Sequence, residues 1–505
     1  MSRTIRLTAL VGGPVIALCV VLFADLQPGR PEVTMTAAVA LLMAIWWITE
    51  VVPLAVTSLL PVVLLPALGV MNGKEVSVQY FNWVIFLFLG GFMVALAMEK
   101  WNVHRRIALR ILLLFGARPR RILLGFMVAT AFLSMWISNT ATTMMMVPIV
   151  LAIVLQMEES MGKEKVGGFD IAVLLGIAYA ASIGGMATLV GTPPNPAFIS
   201  IFEVQFPDAP TVDFAQWFIF ALPLTVIILA VAWVLLILLF LRKKGGINTD
   251  SQLFREEYHK LGRISFEEGV VLADFTILAL LWLTRKGLHI GNIKIPGWSE
   301  LFSHPGYIND GTVAIAMAVL LFIIPAKKEK DAAIMDWHTA RKLPWNIILL
   351  FGGGFALAQA FKVSGLSEWV GQQLASIGGL HPLIIIFIIC IIAMLLTEMT
   401  SNTATTQMIL PILAGLAVAI KVNPLLLMVP ATLSCSCAFM LPVATPPNAI
   451  IFGTQRLRIA TMARTGVLLN LISAVVITLG MYFWGDKVMD IDLNTMPAWA
   501  QLEQP

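Results

Sequence analysis

Residues 138–143 read SNTATT, and residues 401–406 read SNTATT again. Each copy interrupts an apolar stretch, 122–157 in one case and 383–420 in the other. A membrane helix needs about 20 mostly apolar residues, so each stretch is too long for one. Polar loop backbone cannot face lipid. It is buried in protein or lines a wet cavity. We therefore read each stretch as a re-entrant hairpin, in which one helix enters, turns at the polar tip, and a second helix returns to the same side.

The rest of the chain agrees with a membrane setting. It holds 505 residues, 59% hydrophobic and 12% charged, against about 25% charged in a soluble domain. Eleven apolar spans begin near residues 7, 34, 52, 81, 171, 215, 270, 311, 345, 425 and 465. Arg3 and Arg6 precede the first run, and no small-residue cleavage site follows, so that run reads as a span rather than a leader. Cys19, Cys390, Cys435 and Cys437 lie in or beside apolar runs, which argues against a disulfide framework. The Cys435–Ser436–Cys437 spacing fits neither zinc nor a redox motif and reads as packing. No P-loop, GxGxxG or HExxH pattern is present, and no nucleophile–base pair or metal cluster is visible, so the chain does not read as an enzyme.

Charge orients the spans. Lys100, Arg105, Arg106, Arg110, Arg118, Arg120 and Arg121 crowd one connection without an acid, which reads as cytoplasmic. Arg242, Lys243 and Lys244 mark a second cytoplasmic loop, Lys327, Lys328, Lys330, Arg341 and Lys342 a third, and Arg456, Arg458 and Arg464 a fourth. Glu203, Asp208 and Asp213 mark an outer connection. The N-terminus then falls in the cytoplasm and the C-terminus outside, in a cell (inner) membrane. Arg285, Lys286 and Lys294 fit this assignment worst. The segment 104–115 mixes Arg with Leu and Ile; it is either a helix lying on the cytoplasmic surface or an ordinary basic loop.

More than the tips repeats. Gly90-Gly91-Phe92 matches Gly353-Gly354-Phe355, Pro148 matches Pro411, and Ser134 matches Thr397, all at the same 263-residue offset. GTPPN at 191–195 matches ATPPN at 444–448. The chain is therefore two copies of one unit. Five spans separate the two hairpins, an odd number, so the second copy is inverted. Inverted repeats with broken helices meeting at the midplane mark secondary transporters. The organisation reads as an N-terminal span (1–32), repeat 1 (33–242, hairpin 122–157, broken span 171–204), a cytoplasmic linker (243–269), repeat 2 (270–487, hairpin 383–420, broken span 425–455) and a tail (488–505).

The motifs carry chemistry suited to ions. At the first tip the incoming helix ends near Ser138-Asn139, leaving carbonyls with partial negative charge. Carbonyl, Ser and Asn oxygens are hard ligands for a small cation such as sodium. The outgoing helix starts at Thr140, a good N-cap, and its free N–H groups favour an anion. In GTPPN, Gly191 allows close backbone approach, Thr192 can cap, and Pro193 suits a first helical position. Thr445 and Pro446 repeat the arrangement. No Lys or Arg lies in the tips or the TPPN loops, and the six histidines sit in or beside polar connections. That favours sodium coupling over a histidine relay. Glu398 is the one intramembrane acid beside a tip; it reads either as a coupling group or as a wall residue paired to backbone or a hydroxyl. Glu50 and Glu99 lie near span ends and read as interfacial. The GGF pairs read as close helix packing, and Trp46, Trp47 and Trp83 as interfacial anchors.

Two Ser-Asn-Thr tips, each followed by a Thr-Pro-Pro-Asn loop, resemble the divalent anion/sodium symporter (DASS) family, which includes the INDY-type dicarboxylate transporters. The resemblance runs from the second span to the last. It implies an all-α integral membrane fold of about eleven transmembrane helices plus two re-entrant hairpins. It also implies a homodimer, and an elevator motion of a transport domain against a scaffold. Implied substrates are C4-dicarboxylates such as succinate, malate or fumarate, or else citrate or sulfate, with at least two sodium ions. Carried over by motif, one sodium site uses Ser134, Ser138, Asn139 and Gly191, and the other Thr397, Ser401, Asn402 and Ala444. The anion meets Asn139, Thr140, Thr192, Asn402, Thr403 and Thr445. Thr397 for Ser134 and Ala444 for Gly191 make the halves unequal. Symport and exchange remain open, and an anion channel is the reading from a different class.

Overall fold

The computed structural model describes residues 3–116, 118–162, 166–241, 252–290, 293–328, 332–493 and 495–501. Arg242, Lys243, Lys244 and Lys330 lie outside them. The described chain is helical apart from one short antiparallel hairpin, Leu288–Ile290 with Ile293–Ile295. Among the described residues, eight helices are long and apolar enough to cross a membrane, from Arg6–Phe23 to Ile459–Met489. Starts and stops follow local chemistry. Asn82, Asp213, Asn309 and Asp336 each accept a backbone N–H in the first turn of the helix they precede. Ser265 and Glu268 form a reciprocal capping box.

Both interrupted stretches are helix–tip–helix units, Pro119–Ser134 with Asn139–Met161 and Pro382–Thr397 with Asn402–Ala419. Both TPPN spans are broken, Phe169–Gly185 with Pro194–Gln205 and Leu425–Cys435 with Pro446–Gly453. The third expected span is instead two short helices, Leu54–Thr57 and Leu60–Ala67. Pro53 precedes the first, Pro61 sits in the first turn of the second, a favoured place for proline, and Pro66 inside the second removes a helical N–H.

The glycine pairs permit backbone-to-backbone contact. A Cβ on Gly90 would lie 2.5 Å from the Ala314 carbonyl carbon, and one on Gly353 would lie 2.3 Å from the Ser58 carbonyl oxygen. Phe88 and Phe351 meet edge to face beside these contacts, at 5.1 Å. The two broken spans also touch, with Tyr179 edge-on to Phe439 at 5.2 Å. Arg456, just past the second broken span, pairs with Glu158 at 2.7 Å on the first hairpin's outgoing arm, and with Asp170 at 3.5 Å.

Several charges and tryptophans sit differently from expectation. Arg285 and Lys286 pair with Asp310 and Asp213, so this connection carries little unpaired positive charge. The segment 104–115 lies in a helix, Val103–Phe115, that is clamped to the protein as well as amphipathic. Its Arg106 is buried, grips Glu268 through two nitrogens and donates to the carbonyls of Leu261 and Gly262. Lys100 holds Asp336 at 2.6 Å. Burial alone would raise the Asp336 carboxyl, but hydrogen bonds from Lys100 and Thr339 outweigh it and hold the pKa at about 2. Trp47 is a core residue, 0% exposed, its indole donating to Ser58 Oγ at 3.2 Å. Trp83 donates to Glu203 at 2.8 Å.

Candidate functional site: two polar tips on one cavity

Both tips and both TPPN loops face a single cavity of about 900 Å³. Ser138, Asn139, Thr140, Gly191 and Thr192 line it from the first repeat. Ser401, Asn402, Thr403, Ala444 and Thr445 line it from the second. The starts of four helices therefore converge there, and their partial positive ends favour an anion. Ile48, Thr49, Glu50, Asn346 and Leu350 complete the wall. Among the described residues, no Lys, Arg or His lines it, and Glu50, with a positive φ of 46°, is the one ionisable side chain there.

Behind each tip is a cluster of oxygens. Ser134 Oγ reaches both Asn139 Oδ1 and, at 2.7 Å, the Ala181 carbonyl. Thr397 Oγ1 reaches Asn402 Oδ1 and the Cys435 carbonyl, each at 2.7 Å. In each trio one hydroxyl proton is shared between two acceptor oxygens. Lone pairs in excess of protons, in a buried place, suit a small hard cation. At the first tip more oxygens crowd in. A Cβ on Gly185 would lie 2.9 Å from Asn139 Oδ1 and 3.0 Å from the Gly191 carbonyl oxygen. One on Gly191 would lie 3.0 Å from the Met135 carbonyl oxygen. Gly191 and Gly185 are glycine because a methyl group would fill this cradle.

The remaining tip residues serve the turn. Ser138 caps the outgoing helix by accepting from Ala141 N at 3.2 Å, so the cap is Ser138 rather than Thr140, and Thr140 is free to line the cavity. At the second tip, Ser401 precedes the helix without a side-chain cap bond. The last threonine of each SNTATT returns its hydroxyl to the asparagine carbonyl, Thr143 to Asn139 and Thr406 to Asn402, both at 2.8 Å. Thr445 caps its helix, accepting from Asn448 N at 3.3 Å. Thr192 makes no such cap; the first TPPN helix starts one position later, at Pro194. Thr192 is buried, 2% exposed, against the cavity.

Two residues were missed in the sequence reading, the terminal asparagines of the TPPN motifs. Asn448 Nδ2 donates to the carbonyls of Ala438 at 2.9 Å and Leu441 at 3.0 Å. Asn195 Nδ2 lies within 2.7 Å of the Thr188 carbonyl and 3.3 Å of those of Gly185 and Met186. Both asparagines are 0% exposed and clip the unwound segment to the helix that follows it. The signal was present, since the asparagine repeats with the prolines. Glu398 belongs to the wall reading. Its carboxylate accepts backbone N–H groups of Phe439, Met440 and Leu441 at 2.7, 2.8 and 3.0 Å.

The same stretch of chain matches a known family. Residues 6–490 match the family model of the sodium:sulfate symporter transmembrane region. The chain belongs to the sodium:sulfate symporter family. A relative from Staphylococcus saprophyticus, named sodium-dependent dicarboxylate transporter SdcS, is 45% identical across 97% of this chain and 93% of its own length. The SdcS protein of a bovine Staphylococcus aureus strain is 44% identical with the same coverage. Among solved structures, Neisseria gonorrhoeae MtrF superposes with a TM-score of 0.55 at 14% identity, covering 84% of this chain and 85% of that one. The Alcanivorax borkumensis YdaH transporter gives 0.55 at 13% identity, covering 81% and 86%. At such identity these two speak to fold alone. Members of the family are membrane transporters, not enzymes.

Proposed function

We propose that the protein is a sodium-coupled symporter of divalent anions, most readily C4-dicarboxylates such as succinate, malate or fumarate. The observation that carries the reading is the cavity itself, where four helix N-termini converge without a fixed cation. The names of the 45% and 44% identical relatives support a dicarboxylate substrate and sodium dependence.

A C4-dicarboxylate near neutral pH is a dianion, since carboxyls titrate near about pH 4. Helix N-termini each favour an anion by only about 0.3–2 kcal/mol, which is modest against desolvating two charges. Co-bound cations supply the balance, at least two of them. Ser134, Ser138 and Asn139 with the Gly191 loop hold one, and Thr397, Ser401 and Asn402 with the Ala444 loop hold the other. The anion meets Asn139, Thr140, Thr192, Asn402, Thr403 and Thr445. Each asparagine thus touches both cargoes, so the anion site forms only when the cations are in place.

Transport follows an elevator. The hairpins, the broken spans and the helices after them move as one body against the other spans, and a second copy of the chain steadies the scaffold. The Arg456 pairs, which tie repeat 1 to repeat 2, support one rigid body. Thr49, Glu50 and Asn346 lie at helix ends that the basic loops assign to the cytoplasm, which supports an inward-open state with the N-terminus inside and the C-terminus outside.

The test is uptake of labelled succinate into proteoliposomes at fixed pH and voltage, with sodium varied. Saturable uptake that rises with sodium is expected. Uptake indifferent to sodium but driven by internal dicarboxylate would make the protein an exchanger.

A further inference from the structure

The two walls of the cavity differ in charge. On the side of the hairpins and TPPN loops it meets four helix starts and, among the described residues, no charged side chain. The facing wall comes from the last turn of Pro31–Thr49 and the first turn of Trp345–Ser364, through Ile48, Thr49, Glu50, Asn346 and Ile347. A helix end with free carbonyls and a helix start with free N–H groups carry opposite partial charges of about half a unit each, so on that wall the two offset. What remains is the full negative charge of Glu50. Its side chain is exposed, and no ion pair among the described residues includes it. Arg341 and Lys342 come shortly before Trp345 in the chain, but neither lines the cavity.

The backbone holds this charge in place. Glu50 ends its helix in the left-handed region, with φ 46° and ψ 30°. Glycine or asparagine enters that region at less cost, so the turn by itself would favour one of them. The turn is also tied down on both sides. Trp47 is buried just before it, and its indole reaches the Leu54 carbonyl at 3.4 Å and Ser58 Oγ at 3.2 Å just after it. Glu50 is therefore fixed to the wall opposite the hairpins and does not belong to the body proposed to move.

We propose that Glu50 determines substrate release: it is a fixed negative charge on the stationary wall that weakens dianion binding only while the site faces the cytoplasm. In the inward-open state the loaded site lies across the cavity from Glu50. The outward stroke of the elevator carries the site away from it. Repulsion therefore raises the half-saturation constant on the cytoplasmic face and leaves the outer one alone, which favours unloading on the side where the substrate has to leave. The proposal rests on the dicarboxylate reading and the inward-open orientation above.

The experiment measures succinate uptake against succinate concentration in right-side-out and in inverted membrane vesicles, at fixed sodium. It compares the intact protein with Glu50→Gln, Glu50→Gly and Glu50→Asp. Glu50→Gln lowers half-saturation on the cytoplasmic face by about three- to tenfold, as expected of one charge within about a Debye length of a dianion in a wet cavity. The outer value moves by no more than about twofold. Glu50→Gly removes the charge and relaxes the backbone together; it shifts the same way and decides the question if Glu50→Gln does not fold. Glu50→Asp keeps the charge and moves the cytoplasmic value less than Glu50→Gln does. Choline chloride added at constant sodium narrows the gap between Glu50→Gln and the intact protein, which a packing role would not do. A folded Glu50→Gln protein with the intact protein's cytoplasmic half-saturation overturns the proposal. So does an equal fall on both faces, or an equal shift in Glu50→Gln and Glu50→Asp. A fall confined to the outer face overturns it together with the assigned orientation. An intact protein that takes up no succinate refutes the dicarboxylate reading itself, and this inference with it.

Discussion

Replacing Asn448 tests whether the TPPN asparagines clip the broken spans. In Asn448→Ala two buried hydrogen bonds vanish, at 2.9 and 3.0 Å, and the carbonyls of Ala438 and Leu441 lose a partner. Each lost bond costs about 0.5–1.5 kcal/mol net, and a buried acceptor left unpaired about 1–3 kcal/mol. The local cost is then about 2–4 kcal/mol, concentrated on the segment that carries one side of the cavity. At about 1.4 kcal/mol per factor of ten, uptake falls by at least about tenfold while the fold survives. Asn448→Asp is worse, because a carboxylate oxygen replaces the donor and faces two carbonyl oxygens. Asn195→Ala is milder. Its two amide protons are spread over three carbonyls, only one of them close, at 2.7 Å. The assay is succinate uptake into proteoliposomes, normalised to monodisperse protein by gel filtration. An Asn448→Asp protein that transports normally, or an Asn195→Ala protein more damaged than Asn448→Ala, refutes the clip.

Asn139→Ala and Asn402→Ala each abolish sodium-dependent uptake without lowering the yield of folded protein; activity in either, measured in the same vesicles, contradicts a shared cation and anion role. Gly353→Ala drives a methyl group into the Ser58 backbone and costs about 1–3 kcal/mol, read as a fall of the thermal midpoint by several degrees with no specific change in sodium dependence. Uptake declines as pH falls below about 6, where the substrate's second carboxyl, raised by the charge of the first, takes up a proton, and it is flat above about pH 7 because among the described residues no histidine lines the cavity. The Asp336–Lys100 pair does not shape that profile: the Asp336 pKa is depressed to about 2, so its stabilisation is complete above its ordinary value and is lost only as pH falls through about 2.

The parts of the site legible in the sequence were those where polarity contradicts its surroundings. SNTATT in an apolar stretch has few physical explanations, and two inverted copies have fewer. What stayed hidden depended on neighbours distant in the chain. Trp46-Trp47 at a span end looks interfacial, yet the short helices Leu54–Thr57 and Leu60–Ala67 cover Trp47, and Ser58 takes its N–H. Ser138 and Thr140 are both good caps, and nothing local distinguishes them. Identical TPPN motifs start their helices at different positions, Pro194 and Pro446. Glu398 offered no clue to its partners, which lie 41 to 72 residues away.

An elevator asks that one body slide past another without a large barrier, and the contacts at the proposed boundary suit that demand. Gln407 on the second hairpin donates to the Leu350 carbonyl at 3.0 Å. Gln205, at the end of the first broken span, donates to the Ala358 carbonyl at 2.7 Å, and Lys362 to the Val204 carbonyl at 2.7 Å. All three end on backbone carbonyls, which water can serve once the faces part. Each is worth about 0.5–1.5 kcal/mol if neutral and about 1.5–3 if charged, so together they bias one state without locking it. Gly354 faces Gln407 so closely that a Cβ there would lie 2.1 Å from its side-chain carbon, and the backbone at that point presents no knob to catch. Within the body proposed to move, by contrast, the ties are multiple. Arg456 meets two acids, Glu398 meets four donors, and Asn448 two carbonyls. Bonds that stay closed inside the proposed body are what would let a carrier keep its site intact while moving, even though Asn82 to Ser200, Trp83 to Glu203 and Phe214 N to the Asp310 carboxylate also cross its face.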